Sequence, residues 1–362
     1  MNISLKTIKE NLISKDVTIL EAIKKLNIIK YKTLIIIDKN KKILGTVTDG
    51  DIRRGLLKGY DVNDNINLIA NKNPVKKFTG NNNDKNINFK NIDVIPCTDK
   101  FGKIKYLEIF NNKDILDKYK DSLEIVLMAG GYGKRLMPYT KKIPKPLLKI
   151  KKKSVLEIAM ENFDKYGFKN FYISIFYRAN IIKKYFKKKK FNNFKIRYLE
   201  EKKPLGTGGC LSLLNYKNTK ENILIYNGDV ITDLNIINLL KFHQDTKSDI
   251  TVCAKQFSNS SPYGQISFVG HKINKIIEKP DKQNFINAGI YLIKKTMIKK
   301  MRVSSIDMPD LIHNKIKSGC NVNIYPIYEY WTDMGDKDIF KQLIRNKWVR
   351  KILLLKIHRW KI

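Results

Sequence analysis

Residues 128–148, MAGGYGKRLMPYTKKIPKPLL, bring three glycines, five basic residues and three prolines into one segment. Gly130, Gly131 and Gly133 follow directly on the apolar run EIVLMA. Without a Cβ, glycine lets the backbone approach a ligand closely and aim its N–H groups at phosphate oxygens. Arg135 can grip a triphosphate through paired N–H donors. Lys145 stands between Pro144 and Pro146, which restrict the backbone on both sides and hold its ammonium as a pre-positioned point charge. The segment therefore reads as a phosphate site. Two familiar loops are excluded. A P-loop needs Ser or Thr after its Lys, and Lys134 is followed by Arg135. A dinucleotide-binding turn needs a third glycine where Leu136 stands.

Such a loop needs a scaffold, and the sequence supplies one. From Leu123 onward, apolar strand-like runs alternate with helical patterns. EIVLMA, FYISIFY, FKIRYLEE, ENILIYNGD, ITVCAKQF and FINAGIYLI read as strands. SVLEIAMENFDKYG reads as a helix with Leu156, Met160 and Phe163 on one face. This order predicts an α/β domain, Rossmann-like, with a mostly parallel sheet, and ligands in such sheets sit beyond the carboxyl ends of the strands.

The chain has 362 residues, enough for two or three domains. Its 71 Lys and Arg against 34 Asp and Glu give a formal charge of +37. The lysines are spread along the whole length among Ile and Asn, so the excess reads as a compositional bias and no nucleic-acid partner is expected. A positive field still favours small anionic substrates. Cys97, Cys210, Cys253 and Cys320 form no CxxC pair and read as reduced thiols. The start, MNISLKTIKE, lacks the apolar segment of a secretory signal, and no apolar run reaches the ~18 residues of a membrane span, so a cytoplasmic protein is expected.

Residues 1–118 carry an internal echo. Asp38 and Asp99, 61 residues apart, each open a polar turn after an apolar run, so each reads as a hairpin. Ile19, Ala22, Ile23 and Leu26 predict a helix before the first. After it comes GTVTDGD, which is similar to the end of a CBS motif, in which a hydroxyl and a carboxylate three residues apart hold an adenosine ribose. The resemblance implies an α+β CBS pair with Thr48 and Asp51 as ligands of an adenine nucleotide. The same two residues equally suit a helix-capping Thr and a first-turn acid answering the helix dipole. In the second copy Ile109 and Asn112 stand at these positions, and the Asn-rich TGNNNDKNINFKN replaces a helix, so this repeat is degenerate. DKYKDS reads as the join.

The segment 128–148 resembles GGxGxRLxPxTxxxPKPLL, the signature of sugar-1-phosphate nucleotidyltransferases. Further motifs follow in that family's order. EEKKPLGTGGCL, residues 200–211, resembles its nucleotide-base loop, with Gly206 and Thr207 facing the base. YNGD, residues 226–229, resembles its metal-binding turn. EKP, residues 278–280, and NAG, residues 287–289, resemble its sugar-phosphate elements. WTDMGD, residues 331–336, resembles WxDxGT, with Asp336 in place of the usual Thr. The resemblance spans residues 123–345 and implies metal-dependent transfer of a nucleoside monophosphate to a sugar 1-phosphate, with pyrophosphate released. It implies that Ala129, Gly130, Gly131 and Gly133 hold the nucleotide. Arg135 would hold the departing pyrophosphate, and Lys145 the sugar phosphate or α-phosphate. Asp229 and Asp333 would bind Mg²⁺, and of the sugar-phosphate-binding residues Lys279 would neutralise the phosphate, Glu278 would bind sugar hydroxyls and Asn287 would donate to a sugar hydroxyl. Taken alone, Asp229 suits a turn, residues 278–280 an exposed turn, and Asn287 a turn pin. The PLGTGG form and the preceding pair look most like guanylyltransferases acting on mannose, heptose or glucosamine 1-phosphates in surface-glycan or nonulosonic-acid synthesis. GTP is expected ahead of CTP, dTTP and UTP.

Paired CBS modules commonly dimerise, so a homo-oligomer is expected. The tail, residues 346–362, is basic with two tryptophans; it suits either a terminal helix or contact with an anionic membrane surface. A rival reading makes the chain a nucleotide sensor with an inert transferase domain.

Overall fold

The computed structural model describes residues 9–29, 32–79, 94–109, 119, 121–188, 191–260, 263–278 and 281–345, with residues 2–4, 258–260 and 281–283 described by backbone alone. Asn112, Lys279, Pro280, the tail 346–362 and most of the Asn-rich stretch lie outside the described residues. The chain divides into two compact units, Met1–Asp117 and Lys118–Ile362.

The first unit is a duplication visible in its hydrogen bonds. The hairpin strands Thr33–Ile37 and Ile43–Thr48 match Val94–Thr98 and Ile104–Ile109. Asp38 Oδ1 accepts from the N–H groups of Asn40 and Lys42, both at 2.8 Å. Asp99 Oδ1 accepts from Phe101 and Lys103 at 2.9 and 3.0 Å. Both hairpins bulge at the same place, between Ile36 and Ile37 and between Cys97 and Thr98. The halves then exchange one bond each way: Ile43 N donates to Gly102 O (3.2 Å) and Ile104 N donates to Lys41 O (3.1 Å). This reciprocity is a local two-fold relation. The sequence expectation of two hairpins is met, and so is the helix, which spans Ile19–Ile28 and is capped by Thr18.

The second unit is built on a seven-stranded sheet. Its strands run, edge to edge, Lys195–Glu200, Asn170–Ile175, Leu123–Met128, Asn222–Asn227, Asp281–Lys294, Ile250–Ser260 and Val322–Ile327. The first four are mutually parallel, Asp281–Lys294 is antiparallel to both its neighbours, and Ile250–Ser260 is parallel to Val322–Ile327. The central strands Leu123–Met128 and Asn222–Asn227 are mostly apolar, as befits strands buried on both faces of a parallel sheet. Val126, Leu127, Ile223, Leu224 and Ile225 are fully buried. Each such side chain contributes roughly 1.5–3 kcal/mol of burial, which makes this layer the anchor of the unit. The helix Val155–Asp164 starts at Ser154, whose hydroxyl accepts from Glu157 N, and turns Leu156, Met160 and Phe163 inward.

Two smaller pieces complete the unit. A two-stranded ladder pairs Val230–Thr232 with Trp331–Asp333. A separate hairpin, Gln265–Val269 with Lys272–Ile277, is exposed along its length. No helix among the described residues is long and apolar enough to cross a membrane.

Candidate active site

All four parallel strands end at one place. Leu123–Met128 runs into Ala129 and the glycines, Asn170–Ile175 into Phe176, Lys195–Glu200 into Glu201, and Asn222–Asn227 into Gly228 and Asp229. They open onto a cleft of about 380 Å³ lined by Gly130, Gly131, Gly133, Arg135, Lys145, Glu201, Gly206, Thr207, Asn227, Asp229, Asp307 and Gly335, among others.

The glycine loop folds back on the proline-flanked lysine. Gly133 has φ +65°, and a Cβ there would stand 3.0 Å from Lys145 Cβ and from Thr140 Cγ2. Thr140 Oγ1 donates to Gly133 O at 2.9 Å and fixes the turn. Glycine at 133 is therefore what allows both ends of the motif to meet. Tyr132, in the middle of the loop, packs edge-on against Phe176 (5.8 Å, 84°) and tilted against Tyr177 (5.3 Å), so aromatic rings brace the loop from outside.

Asp229 and Asp333 come together across the two-stranded ladder. Val230 lies opposite Asp333, and Met334 N donates to Asp229 O at 3.0 Å. Lys145 Nζ is ion-paired with Asp229 Oδ2. Burial pushes the Asp333 carboxyl above the usual carboxylate range and the Asp229 charge adds to this, while Lys145 and Arg135 pull it back. Asp333 Oδ1 is buried with no hydrogen-bond partner among the described residues. A Cβ on Gly335 would stand 2.7 Å from that oxygen. An orphaned carboxylate oxygen with space kept clear beside it, next to a second carboxylate, fits a hard divalent cation such as Mg²⁺ completed by phosphates and water. No group of three or more His, Cys, Asp or Glu poised for a metal occurs among the described residues. Two carboxylates are what Mg²⁺ held largely by substrate phosphates requires.

The opposite wall is the loop that starts at Glu201. Its Oε2 accepts from Leu205 N (2.8 Å), and Oε1 accepts from Ser174 Oγ (2.5 Å). A Cβ on Gly130 would stand 3.0 Å from Oε1, so the two loops touch. Thr207 reaches the cleft, but its polar groups are spent. Its N–H donates to Asp307 Oδ1 (2.9 Å), and its hydroxyl donates to the same oxygen (3.1 Å) and accepts from Met308 N (2.8 Å).

Of the residues expected from sequence, Gly130, Gly131, Gly133, Arg135, Lys145, Gly206, Thr207 and Asp229 line one cleft, with Asp333 beside it and Ala129 buried beneath. Glu278 and Asn287 are not among the lining residues. Glu278 is exposed just past the separate hairpin. Asn287 Oδ1 accepts from Gly289 N (3.0 Å) and its Nδ2 donates to Tyr291 Oη (2.7 Å), so it pins an irregularity in the strand Asp281–Lys294, where pairing with Ile250–Ser260 shifts register. Thr48 and Asp51, in the first unit, form a capping box at the helix Asp49–Leu57, and Asp51 Oδ1 also accepts from Arg54 at 2.5 Å. Glu201 and Asp307 were not expected. Glu201 sits inside the quoted base-loop motif and could have been found there, whereas Asp307 is brought in by a tertiary contact that no local pattern signals.

The nucleotidyl transferase family model matches residues 124–346. The chain belongs to that family. It is 34% identical over 231 residues to the D-glycero-alpha-D-manno-heptose 1-phosphate guanylyltransferase of Campylobacter jejuni, covering 62% of this chain and all of that one. It is 27% identical over 225 residues to the mannose-1-phosphate guanylyltransferase catalytic subunit beta of Danio rerio, covering 60% of this chain and 62% of that one. The chain spans about three fifths of the length of several curated relatives it matches. The fold matches the crystal structure of HddC from Yersinia pseudotuberculosis with a TM-score of 0.50 and 24% identity, over 61% of this chain and 97% of that one.

Proposed function

We propose that the protein is a Mg²⁺-dependent sugar-1-phosphate guanylyltransferase, joining GMP from GTP to a sugar 1-phosphate and releasing pyrophosphate. The observation that carries this reading is the meeting of Asp229 and Asp333 at a glycine loop that also presents Arg135 and Lys145. The relatives named above as guanylyltransferases support GTP as the donor and a hexose or heptose 1-phosphate as the acceptor.

The chemistry asks little covalent work of the chain. A sugar-phosphate oxygen attacks the α-phosphorus, the bond from that phosphorus to the bridging oxygen breaks, and pyrophosphate leaves with the electron pair. Two anions must be brought together, so charge neutralisation and in-line positioning dominate. Backbone N–H groups of the glycine loop cradle the triphosphate. Arg135 binds the pyrophosphate that departs. Lys145, ion-paired with Asp229 before substrate arrives, turns its ammonium to the incoming phosphate. Asp229 and Asp333 would hold Mg²⁺, which when bound supplies neutralisation of phosphate charge. In this reading Lys279 neutralises the sugar phosphate, and Glu278 and Asn287 bind sugar hydroxyls.

We read residues 1–118 as a CBS pair; the reciprocal bonds between its halves support this. An adenine nucleotide at Thr48 and Asp51 would have to share Asp51 with Arg54. Calorimetry of the full chain with AMP, ATP and GTP tests it, since only adenine nucleotides should add a second binding site.

Pyrophosphate release, measured for GTP, CTP, dTTP and UTP against mannose, heptose, glucosamine and glucose 1-phosphates, tests the main reading. GTP should be turned over fastest with one of the first three sugars. Preference for a pyrimidine nucleotide would move the protein to another donor class, and no release with any pair would favour a nucleotide sensor.

A further inference from the structure

We propose that Asp307 selects the nucleotide base, acting as the hydrogen-bond acceptor for donors on the Watson–Crick edge of guanine. The proposal rests on the guanylyltransferase reading and names the residue that makes the choice.

Asp307 occupies the N-cap position of the helix Met308–Lys317 but does not cap it with its side chain. Thr207 Oγ1 takes that task by accepting from Met308 N. The Asp307 carboxylate is turned instead to the wall of the cleft, where Oδ1 accepts from both the N–H and the hydroxyl of Thr207. Those two bonds fix the plane of the carboxylate. They leave Oδ2 with no hydrogen-bond partner among the described residues, on an exposed side chain that lines the cleft. The wall itself is rigid: Gly208 N and Gly209 N both donate to Ile306 O at 2.9 Å, and Ile306 N donates to Leu205 O at 2.9 Å. Gly206 has φ +74°, and a Cβ there would stand 2.8 Å from Asp307 Oδ1 and 2.7 Å from Ile306 O. Glycine at 206 thus lets the loop close tightly on Ile306 and the anchored oxygen of Asp307.

The charge layout of the cleft says which part of a nucleotide arrives here. Lys134, Arg135 and Lys145 gather at the glycine loop, while the wall around Gly206 carries Glu201 and Asp307 and no cation among the lining residues. Phosphates are drawn to the first end and repelled from the second, so the uncharged base meets the carboxylates. A carboxylate accepts and cannot donate. Guanine sets two donors side by side, N1–H and the 2-amino group. Uracil and thymine set one donor between two carbonyl oxygens, which a carboxylate repels. A pre-oriented acceptor at this wall therefore favours guanine over uracil and thymine and costs little ordering on binding.

The test compares GTP with ITP, which lacks the 2-amino group, by steady-state pyrophosphate release from the full-length protein. Wild type should prefer GTP in kcat/KM by roughly 10- to 100-fold, the range of one hydrogen bond to a charged group. Asp307→Asn keeps an oxygen for Thr207 and turns an amino group to the cleft, leaving Met308 N still capped. It should bring the GTP/ITP ratio to within about threefold of one, chiefly through KM. Asp307→Ser, a second route to the same loss, should do likewise and guards against a misfolded first variant. An unchanged ratio in either folded variant, or an equal fall with both nucleotides, overturns the assignment and makes Asp307 a brace of the loop. A wild-type enzyme that does not use GTP overturns the guanylyltransferase reading instead, and is read before any variant is made.

Discussion

Lys145 and Asp229, brought to one cleft from separate crossovers, form an ion pair at the mouth of the glycine loop. The pair lets the cleft hold two neighbouring carboxylates before any metal or substrate arrives. Lys145 screens Asp229, and with Arg135 it offsets part of the burial that raises Asp333. In the proposed reaction the same cation would pass from a protein carboxylate to a substrate phosphate without leaving the site.

Lys145→Met removes that charge. It should lower kcat by about 100-fold or more, the usual cost of losing one pre-organised electrostatic contact. The melting temperature should fall by several degrees, because the side chain is only 12% exposed and its loss leaves Asp229 and Asp333 side by side without that cation. Steady-state pyrophosphate release and a thermal melt check the two parts separately. A kcat near wild type would mean that the glycine loop and Arg135 suffice.

Gly335→Ala places a methyl 2.7 Å from Asp333 Oδ1 and 3.2 Å from Oδ2. The displaced carboxylate should raise the Mg²⁺ concentration needed for half-maximal activity by roughly 10-fold, as disturbed support of a metal ligand commonly does. The KM for the nucleotide at saturating Mg²⁺ should change less. A Mg²⁺ titration of activity decides; an unchanged midpoint would remove Asp333 from the metal site.

The duplicated turns of the first unit allow a matched pair of substitutions. Gly102 has φ +78° and its pseudo-equivalent Lys41 has φ +62°. A Cβ on Gly102 would meet only Lys42 Cγ, at 3.9 Å, so crowding is not at issue. Gly102→Ala should cost about 1 kcal/mol through left-handed strain alone. Lys41→Ala should cost little, since that strain is already present there. Denaturant unfolding of the two variants side by side measures the difference, and equal effects would contradict the turn geometry.

His243 is buried, with Nδ1 2.7 Å from Thr251 Oγ1 and no hydrogen-bond partner for Nε2 among the described residues. Burial, helped by the charge of Lys294 and opposed by Asp249, lowers its pKa to about 4. The unfolded chain, with an ordinary imidazole near 6.5, binds the proton first as pH falls. The stability is thus complete above about pH 6.5 and is lost between there and about pH 4, to a total on the order of 3 kcal/mol. Melting temperatures at pH 7.5, 6 and 5 should fall progressively, and His243→Asn should flatten the trend. A wild-type melting temperature constant across that range would contradict it.

Much of this was legible beforehand. The alternation of apolar runs and helical patterns located the strands that end at the cleft, and the crowding of Gly, Arg, Lys and Pro in residues 128–148 marked the phosphate end. The repeat of Asp38 at Asp99 foretold two matching hairpins, because an Asx turn is a local device with a local signature. Thr48 and Asp51 show the limit of spacing: a capping box and a ribose clamp ask for the same residues, and the box is what the helix start forms. Other features depend on chain segments meeting far apart in sequence. The ladder that seats Asp333 beside Asp229 is three residues long on each side, too short for a periodic pattern. Asp307 joins the cleft because Thr207 and the backbone bonds of Ile306 hold it against the loop, and nothing around MPDLI signals that contact.

The central claim is that Asp229 and Asp333 share one divalent cation in a working cleft. It is tested most directly by Mg²⁺-dependent pyrophosphate release from GTP and a sugar 1-phosphate, comparing wild type with Asp229→Asn and Asp333→Asn. Both variants should remain folded, lose at least about 100-fold in rate, and need far more Mg²⁺ for the activity that remains. A folded Asp229→Asn protein with wild-type turnover at wild-type Mg²⁺ concentrations would contradict the account.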